Sequence, residues 1–339
     1  MRTNTWTRNG RSLTFTELGQ GTAPLGNLYR AVSDDEADAA LEAAWDAGIR
    51  TFDTAPLYGL GLAEARLNRA LRTRPRDDYV LCTKAGRLLE VARPEHRTGI
   101  GKFFDVPNRR EMFDYSYSGI MRCVEHSLER LGADRIDVLH VHDLDVFNQG
   151  SKEVMNARTA DFLHSGIRAM TSLRDEGVVT MIGAGINEVA PALHLVREAD
   201  LDLVLLAGRY TLLEQGALDA FLPECEARGV GVIVGGPYNS GILATGPRQG
   251  AFFDYEAAPP DILERVGAIE RVCEAHGVRL IEAALRFPLA HPNVVCTIPG
   301  GQSATEVEGN ARTIAASIPD ALWSDLKSEG LLRKDAPTP

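Results

Sequence analysis

Four side chains that can exchange protons stand at or just after the ends of three short apolar segments. Asp53 ends one segment and is followed five positions later by Tyr58, while Lys84 and His142 each end another. A neighbouring ammonium group favours the tyrosinate form and lowers the pKa of a phenol from its usual value of about 10. The group therefore predicts acid–base chemistry in which Tyr58 carries the proton.

The other three residues have distinct expected roles. Lys84 tunes the pKa of Tyr58, Asp53 holds Lys84 in place and keeps it charged, and His142 orients the substrate oxygen. Taken singly, each residue also has a structural interpretation: a turn residue, a surface ring, a solvated strand end or a satisfied buried histidine. Their joint occurrence at strand ends favours the catalytic interpretation.

The elements that must position these residues alternate between apolar runs and helical periods. Near-continuously apolar strands that alternate with helices indicate a parallel sheet covered by helices, and eight such units predict a closed (β/α)8 TIM barrel of the α/β class. In a barrel the carboxyl ends of all strands meet at one mouth. The predicted strands are 18–22, 50–53, 79–84, 136–142, 179–184, 203–207, 230–235 and 294–298; the predicted helices are 34–47, 61–72, 119–131, 162–176, 189–199, 215–228, 262–290 in two pieces, and 304–314.

The rest of the chain adds a hairpin and two long connections. Asn9-Gly10 between strand-like segments predicts an N-terminal β-hairpin. Connections at 86–118 and 144–158 follow the third and fourth strands, at the end where barrel enzymes build their sites. No GxGxxG sequence joins a strand to a helix, which argues against a Rossmann fold. Residues 1–339 are expected to form a single barrel domain.

Composition narrows the class of partner. A formal net charge of −11 argues against nucleic acid and anionic membranes as partners, and leaves a small molecule. The apolar runs are too short for a spanning helix and the N-terminus lacks a signal-like segment, so the cytoplasm is the expected location. Five scattered cysteines without zinc-like spacing predict no metal site.

The run from Phe52 to Gly59, Phe-Asp-Thr-Ala-Pro-Leu-Tyr-Gly, resembles the second-strand motif of the aldo-keto reductase family. Lys84 and His142 fall where that family ends its third and fourth strands. The resemblance covers nearly the whole chain, and it implies a barrel plugged by the N-terminal hairpin and an oxidoreductase that uses a nicotinamide dinucleotide. The family pattern selects His142 as the catalytic histidine and makes His140 a core residue.

The same resemblance implies a set of cofactor-binding residues around the mouth. Residues 185–187 are expected to meet the carboxamide, residues 236–243 the pyrophosphate and residues 299–310 the adenosine end. The family often has an aromatic residue after strand seven and a glutamine on strand six; this chain has Gly235-Gly236 and Ala207 there, so Tyr238 or Tyr210 is the candidate for stacking on nicotinamide. The full predicted set is Thr22, Gly185, Asn187, Gly236, Pro237, Ser240, Gly241, Leu243, Pro299, Gly300, Gly301, Glu306 and Asn310.

Two positions of that set predict NAD rather than NADP. Relatives that use NADPH hold the 2′-phosphate with a lysine and an arginine where this chain has Gly300 and Glu306. A carboxylate repels a phosphate but accepts a hydrogen bond from a free ribose hydroxyl. Arg312 is the nearby cation that offers an alternative phosphate contact.

Residues 114–119, 142–145 and 206–216 resemble a bacterial branch of the family that oxidises aldoses of the L-fucose type, or pyridoxal, with NAD. The expected reaction is oxidation of an aldose lactol at C1 to the aldonolactone, with Tyr58 as general base. Four loop residues are candidates to bind sugar hydroxyls: Lys102, Arg109, Asp143 and Asp145. The alternatives are a pyridoxal 4-dehydrogenase, an NADPH-dependent aldehyde reductase and a non-catalytic cofactor-sensing subunit; a monomer and a homo-oligomer both stay open.

Overall fold

The computed structural model describes residues 1–92 and 103–339. Within these ranges the strands alternate with helices in the predicted manner, and most strand ends lie within one or two residues of their predicted positions. The strands are β1 Thr3–Arg8, β2 Arg11–Thr16, β3 Gln20–Gly21, β4 Thr51–Asp53, β5 Val80–Ala85, β6 Arg87–Val91, β7 Arg109–Phe113, β8 Ile136–His142, β9 Val179–Ile186, β10 Leu203–Ala207, β11 Gly231–Gly235, β12 Phe252–Phe253, β13 Glu256–Ala257 and β14 Val294–Ile298.

The helices cover the outer face of the sheet. The helix after β3 illustrates how the sequence sets a boundary: the Ser33 side chain accepts from the Glu36 backbone N–H, and the Glu36 carboxylate accepts from the Ser33 backbone N–H, as in a capping box. The helices are α1 Asp34–Asp46, α2 Leu62–Leu71, α3 Tyr117–Leu131, α4 Val146–Gln149, α5 Lys152–Asp161, α6 Ile167–Asp175, α7 Val189–Glu198, α8 Phe221–Arg228, α9 Ile242–Thr245, α10 Pro260–Ala275, α11 Leu280–Arg286, α12 Ala304–Ile314 and α13 Asp320–Ser328.

Eight parallel strands form the barrel in the order β14-β11-β10-β9-β8-β5-β4-β3. The first and last strands meet through two parallel bridges, Leu18 with Thr297 and Gly21 with Gly300, which close the sheet on itself. The predicted (β/α)8 barrel is therefore confirmed. Because Leu18 pairs only as an isolated bridge, β3 is shorter than the predicted segment 18–22.

The N-terminal hairpin closes the floor of the barrel. Strands β1 and β2 pair antiparallel around Asn9 and Gly10, whose φ angles are 50° and 75°. Phe15 is fully buried and packs in one cluster with interior residues of the barrel strands, and Trp6 and Leu13 pack against that cluster. Solvent is thus excluded from the barrel floor, and the strand carboxyl ends form the open mouth.

Both long connections contain regular structure. The first contains the antiparallel hairpin β6–β7; residues 93–102, including Lys102, lie outside the described residues. The second folds into α4 and α5. Ser151 caps α5, and its side chain accepts from the Val154 backbone N–H. The helix has little amphipathic character, so its sequence gives no helical pattern.

Candidate active site

The barrel brings the predicted proton-transfer residues together at its mouth. β4, β5 and β8 are neighbours, so Asp53, Lys84 and His142 end adjacent strands. Lys84 Nζ donates to Asp53 Oδ2 at 2.7 Å and to the Thr54 carbonyl oxygen at 2.8 Å, and both charged side chains are buried. Burial lowers the pKa of Lys84, but Asp53 and Tyr58 together outweigh it and raise the pKa above its ordinary value. Lys84 is therefore an ammonium ion.

Tyr58 lies within reach of that ammonium group. Lys84 Nζ is 4.7 Å from the centroid of the Tyr58 ring. Burial raises the pKa of Tyr58, and the lowering by Lys84 offsets this only in part. The expectation of a lowered Tyr58 pKa is wrong in its net direction, because the loss of hydration outweighs the nearby charge. In the cofactor-free protein at neutral pH, Tyr58 is protonated.

The turn that carries Tyr58 depends on a close backbone approach. A Cβ atom on Gly26 would lie 2.5 Å from the Tyr58 carbonyl carbon, and one on Gly59, at φ +64°, would lie 2.5 Å from the Gly26 carbonyl oxygen. Neither position accepts a side chain without displacing the turn. Two glycines far apart in sequence therefore fix where Tyr58 enters the mouth.

His142 stands beside Tyr58, and His140 does not. The His142 and Tyr58 ring centroids are 6.1 Å apart with an interplanar angle of 84°. Burial, with Lys84 and Arg87 nearby, holds the pKa of His142 well below its usual range, so its imidazole is neutral. His140 is fully buried, lies two residues earlier on the strand, and has no hydrogen-bond partner within residues 1–92 and 103–339.

A cavity of about 360 Å³ extends from Asp53 and Tyr58 to Glu306. Its length and lining suit an elongated molecule with one end at the proton-transfer residues. Eight of the thirteen predicted cofactor residues line it: Asn187, Gly236, Pro237, Ser240, Gly241, Pro299, Gly300 and Glu306.

Two further predicted residues contact Asp53 and Lys84. The Thr22 hydroxyl donates to the Asp53 carbonyl oxygen at 3.0 Å. Gly185 lies under Lys84, since a Cβ there would be 3.3 Å from Lys84 Cε. Neither lines the cavity, and both contact proton-transfer residues.

The remaining three predicted cofactor residues are also outside the cavity lining. Leu243 is fully buried and Gly301 is buried. Asn310 Oδ1 accepts from the Tyr238 hydroxyl at 2.8 Å, which holds a ring that does line the cavity. Their contact with a cofactor was inferred from neighbouring positions in sequence, but side chains at successive positions of a turn or helix point in different directions.

The loop after β11 fits the backbone of a dinucleotide. Gly236 and Gly241 have φ angles of 56° and 100°, and Asn239 and Ser240 between them are also left-handed. No atom lies within 4 Å of a Cβ built on Gly241. Consecutive residues of this kind form concave backbone surfaces that bind anions. When bound, a nicotinamide dinucleotide supplies the hydride-accepting carbon.

The structure distinguishes Tyr210 from Tyr238, the two tyrosines expected to stack on nicotinamide. Tyr210 is fully buried and packs on Phe287 at a centroid distance of 5.2 Å, so it is excluded. Tyr238 lines the cavity, as does Ala207. Arg312, the possible phosphate contact, is an exposed residue paired with Glu308 at 3.5 Å and does not line the cavity.

Glu306 lines the end of the cavity away from Tyr58, and its carboxylate is hydrogen-bonded to the backbone. Its Oε2 accepts from the Gln302 backbone N–H at 3.0 Å, and its own N–H donates to the Ser303 hydroxyl. This arrangement fixes the carboxylate at the amino end of α12. The carboxylate thus lies at the cavity wall in an exposed position, held by a backbone N–H.

A small hairpin that the sequence did not indicate crosses the mouth. The turn between β12 and β13 places Asp254 in a bidentate pair with Arg209 at 2.9 and 3.0 Å, and the Tyr255 N–H donates to Ser240 Oγ. Tyr255 also stacks on Phe147 with centroids 5.9 Å apart. Strands of two residues are too short to give a periodic sequence pattern. The contacts of Asp254 and Tyr255 therefore could not be predicted from the sequence.

The proposed hydroxyl-binding residues are engaged within the protein. Asp143 pairs with Arg87 at 2.6 Å, and Asp145 caps α4 by accepting from the Asn148 N–H. Arg109 donates to the Leu60 carbonyl oxygen. None of the three lines the cavity, and each has a partner within the protein.

Known proteins with similar sequences and folds identify the family of this chain. A sequence model of the Aldo/keto reductase family matches residues 17–329. The chain is 44% identical to a D-threo-aldose 1-dehydrogenase of a Pseudomonas species, with 96% of each chain covered, and 43% identical to a pyridoxal 4-dehydrogenase of Microbacterium luteolum, with 94% of this chain and 95% of that one covered.

A solved structure extends the similarity to the fold. The holo form of an aldo-keto reductase from Bacillus halodurans superimposes with a TM-score of 0.74 at 23% identity, over 98% of this chain and 97% of that one. No helix in the described part of the chain is long and apolar enough to cross a bilayer. The protein is an NAD(P)-dependent oxidoreductase with a small-molecule substrate, and it belongs to the aldo/keto reductase family.

Proposed function

We propose that the protein oxidises a cyclic hemiacetal to a lactone, with NAD as the acceptor, and that an aldose of the L-fucose type is its substrate. The observation that carries the proposal is the cavity that joins Tyr58 to Glu306. It is supported by the 44% identity to a D-threo-aldose 1-dehydrogenase over 334 residues. In the ring form of such a sugar, C1 bears both a hydrogen and a hydroxyl group, so loss of hydride and proton leaves the lactone carbonyl. The cytoplasm is the proposed location.

Four residues, here called the tetrad, accept or assist the transfer of the proton: Asp53, Tyr58, Lys84 and His142. The Tyr58 phenolate takes the C1 hydroxyl proton, and the Lys84 ammonium group stabilises the phenolate before that transfer. Asp53 keeps Lys84 charged and in place through the 2.7 Å ion pair. The neutral imidazole of His142 beside the Tyr58 ring orients the substrate oxygen.

The raised Tyr58 pKa predicts opposite pH behaviour for the two directions. Oxidation needs the phenolate, whose fraction rises about tenfold per pH unit below the pKa, so kcat/KM should rise by about that factor per unit between pH 7 and 9. Reduction uses the protonated phenol and should stay flat. His142 and Lys84 have pKa values shifted out of this window. Initial rates in both directions test this, and a flat oxidation profile would remove Tyr58 as the base.

A substrate panel tests the reaction itself. We expect NAD reduction with L-fucose, D-arabinose or L-galactose, followed by absorbance of the reduced cofactor, and a lactone as the product. The methyl glycoside of L-fucose is the matched control, because its C1 oxygen has no proton to lose. Turnover of open-chain aldehydes with NADPH, without lactol oxidation, would instead support the aldehyde reductase.

Pyridoxal is the second candidate substrate. The 43% identity to a pyridoxal 4-dehydrogenase supports it, as do the aromatic rings of Tyr29, Phe147 and Tyr255, which line the cavity. Flat rings stack well on such side chains. Pyridoxal also closes to a cyclic hemiacetal, so the chemistry at Tyr58 is unchanged.

The preference for NAD is tested at Glu306. Glu306→Gln keeps an oxygen for the Gln302 N–H but removes the negative charge, so the kcat/KM ratio of NADP to NAD should rise about tenfold. Glu306→Arg should raise it further. Glu308→Gln is the control, since Glu308 lies on the same helix but not at the cavity. An unchanged ratio in both Glu306 variants would contradict the assignment.

A further inference from the structure

The side-chain amide of Asn187 lies at the cavity wall between two carboxylates. Its Nδ2 donates to Asp143 Oδ1 at 3.0 Å and to Asp145 Oδ2 at 3.1 Å. A primary amide has two N–H donors and one carbonyl acceptor, so the two carboxylates use both donors. The Oδ1 atom is the polar atom of this side chain left for a molecule in the cavity.

The charges determine this amide orientation. If the Asn187 amide were reversed, its carbonyl oxygen would face two carboxylates, and a buried polar contact between acceptors is unfavourable. Asp145 also accepts from the Asn187 backbone N–H at 2.8 Å, which fixes the residue as well as its side chain. The cavity therefore presents an acceptor, and not a donor, at this position.

Asp143 also reaches the tetrad. Its Oδ2 is 3.3 Å from His142 Nε2 and 2.6 Å from an Arg87 guanidinium nitrogen. The residue adopts a left-handed backbone with φ of 57°, which its N–H bond to the Gly185 carbonyl and the Gln149 side chain hold in place. Strained conformations of this kind persist where the surroundings determine them strongly.

We propose that Asp143 is a positioning residue that sets Asn187 and His142 together. Asn187 Oδ1 then accepts from the carboxamide N–H of the nicotinamide, while His142 keeps its place for the substrate oxygen. The inference rests on the proposed function for the placement of the nicotinamide ring near Tyr58. It assigns Asp143 a task that the expected binding of sugar hydroxyls does not include.

Cofactor analogues test the acceptor directly. The 3-acetylpyridine analogue of NAD has a methyl ketone and no N–H, whereas the thionicotinamide analogue keeps its N–H groups. We expect dissociation constants from tryptophan fluorescence titration to favour NAD over the acetyl analogue by about tenfold in the wild-type protein. The thionicotinamide analogue should bind about as well as NAD.

Asp143→Asn should abolish most of this discrimination. Arg87 offers only donors, so the oxygen of the new amide will turn towards it and leave an N–H facing Asn187 Nδ2. The N–H groups of the new amide at position 143 and of Asn187 would then face each other as two donors. The Asn187 side chain would lose its hydrogen bond to position 143 and could rotate. The preference for NAD over the acetyl analogue should fall from about tenfold to about twofold.

Asp137→Asn is the matched control. Asp137 lies near the other end of β8, is 4% exposed like Asp143, and pairs with Arg76 at 2.8 Å. Both variants lose a buried carboxylate paired with an arginine, so both should lower the melting temperature. The analogue ratio should change only in Asp143→Asn, which separates positioning from a loss of stability.

A folded Asp143→Asn protein with the wild-type analogue ratio would overturn the proposal. If that variant does not fold, Asn187→Ala replaces it, and a wild-type ratio there overturns the proposal equally. The kcat value should fall more in Asp143→Asn than in Asn187→Ala, because only the former removes the negative charge beside His142; equal values would overturn the link to His142. The analogue ratio needs no substrate, so a wild-type protein that shows it but oxidises no lactol would refute the proposed function alone.

Discussion

Phenylalanine in place of Tyr58 is expected to lower kcat for lactol oxidation by about 10³-fold, within the range of about 10²–10⁴ for general acid–base groups. The substitution removes one oxygen atom and leaves the ring that packs beside His142. Cofactor affinity should change by less than about twofold, since the hydroxyl acts on the substrate. Stopped-flow or steady-state rates, with cofactor titration by fluorescence, measure the two quantities separately.

Tyr210→Phe is the control for this experiment. Tyr210 is a buried tyrosine outside the cavity, and its hydroxyl has no hydrogen-bond partner within the described ranges of the chain. The same atom is therefore removed without effect on the chemistry. Retained turnover in Tyr58→Phe would show that another group carries the proton.

Asp53→Asn is expected to lower the free energy of unfolding by about 3–5 kcal/mol, because it leaves the Lys84 ammonium group buried without its counter-ion. The pKa of Lys84 should fall, since Asp53 is the largest of the contributions that raise it. A Lys84 with a lowered pKa carries less charge and stabilises the Tyr58 phenolate less, so kcat should fall as well. Urea unfolding and the kcat–pH profile report the two effects.

A double variant separates the lost ion pair from a general packing defect. Asp53→Asn combined with Lys84→Met removes both charges, so it should be more stable than Asp53→Asn alone. The exposed pair Glu90–Arg110 is the control, and Glu90→Gln should change stability by less than about 1 kcal/mol. A double variant that is less stable than both single variants would contradict the ion-pair account.

The sequence predicted the tetrad because its position depends on local patterns. Apolar runs that end in Asp53, Lys84 and His142 define strand ends, and parallel topology brings those ends together. The family resemblance added the choice of His142 over His140, which the alternation of side chains alone does not make. The resemblance also implied the predicted cofactor residues, eight of which line the cavity.

Other features depend on contacts that no local pattern contains. The pair between Arg209 and Asp254 joins residues 45 positions apart and carries a two-strand hairpin over the mouth. The pKa of Tyr58 was predicted in the wrong direction because a nearby lysine is visible in sequence, whereas the extent of burial is not. The partners of Asp143 and Asp145 could not be predicted either, since Arg87 and Asn187 are distant in sequence.

The barrel can close only after its last strand has been synthesised. Leu18 and Gly21, near the start of the chain, pair with Thr297 and Gly300, near its end, and the cavity spans this seam. During synthesis this part of the cavity is incomplete until the last strand has left the ribosome. A dinucleotide bound across this seam would stabilise the closed barrel by mass action.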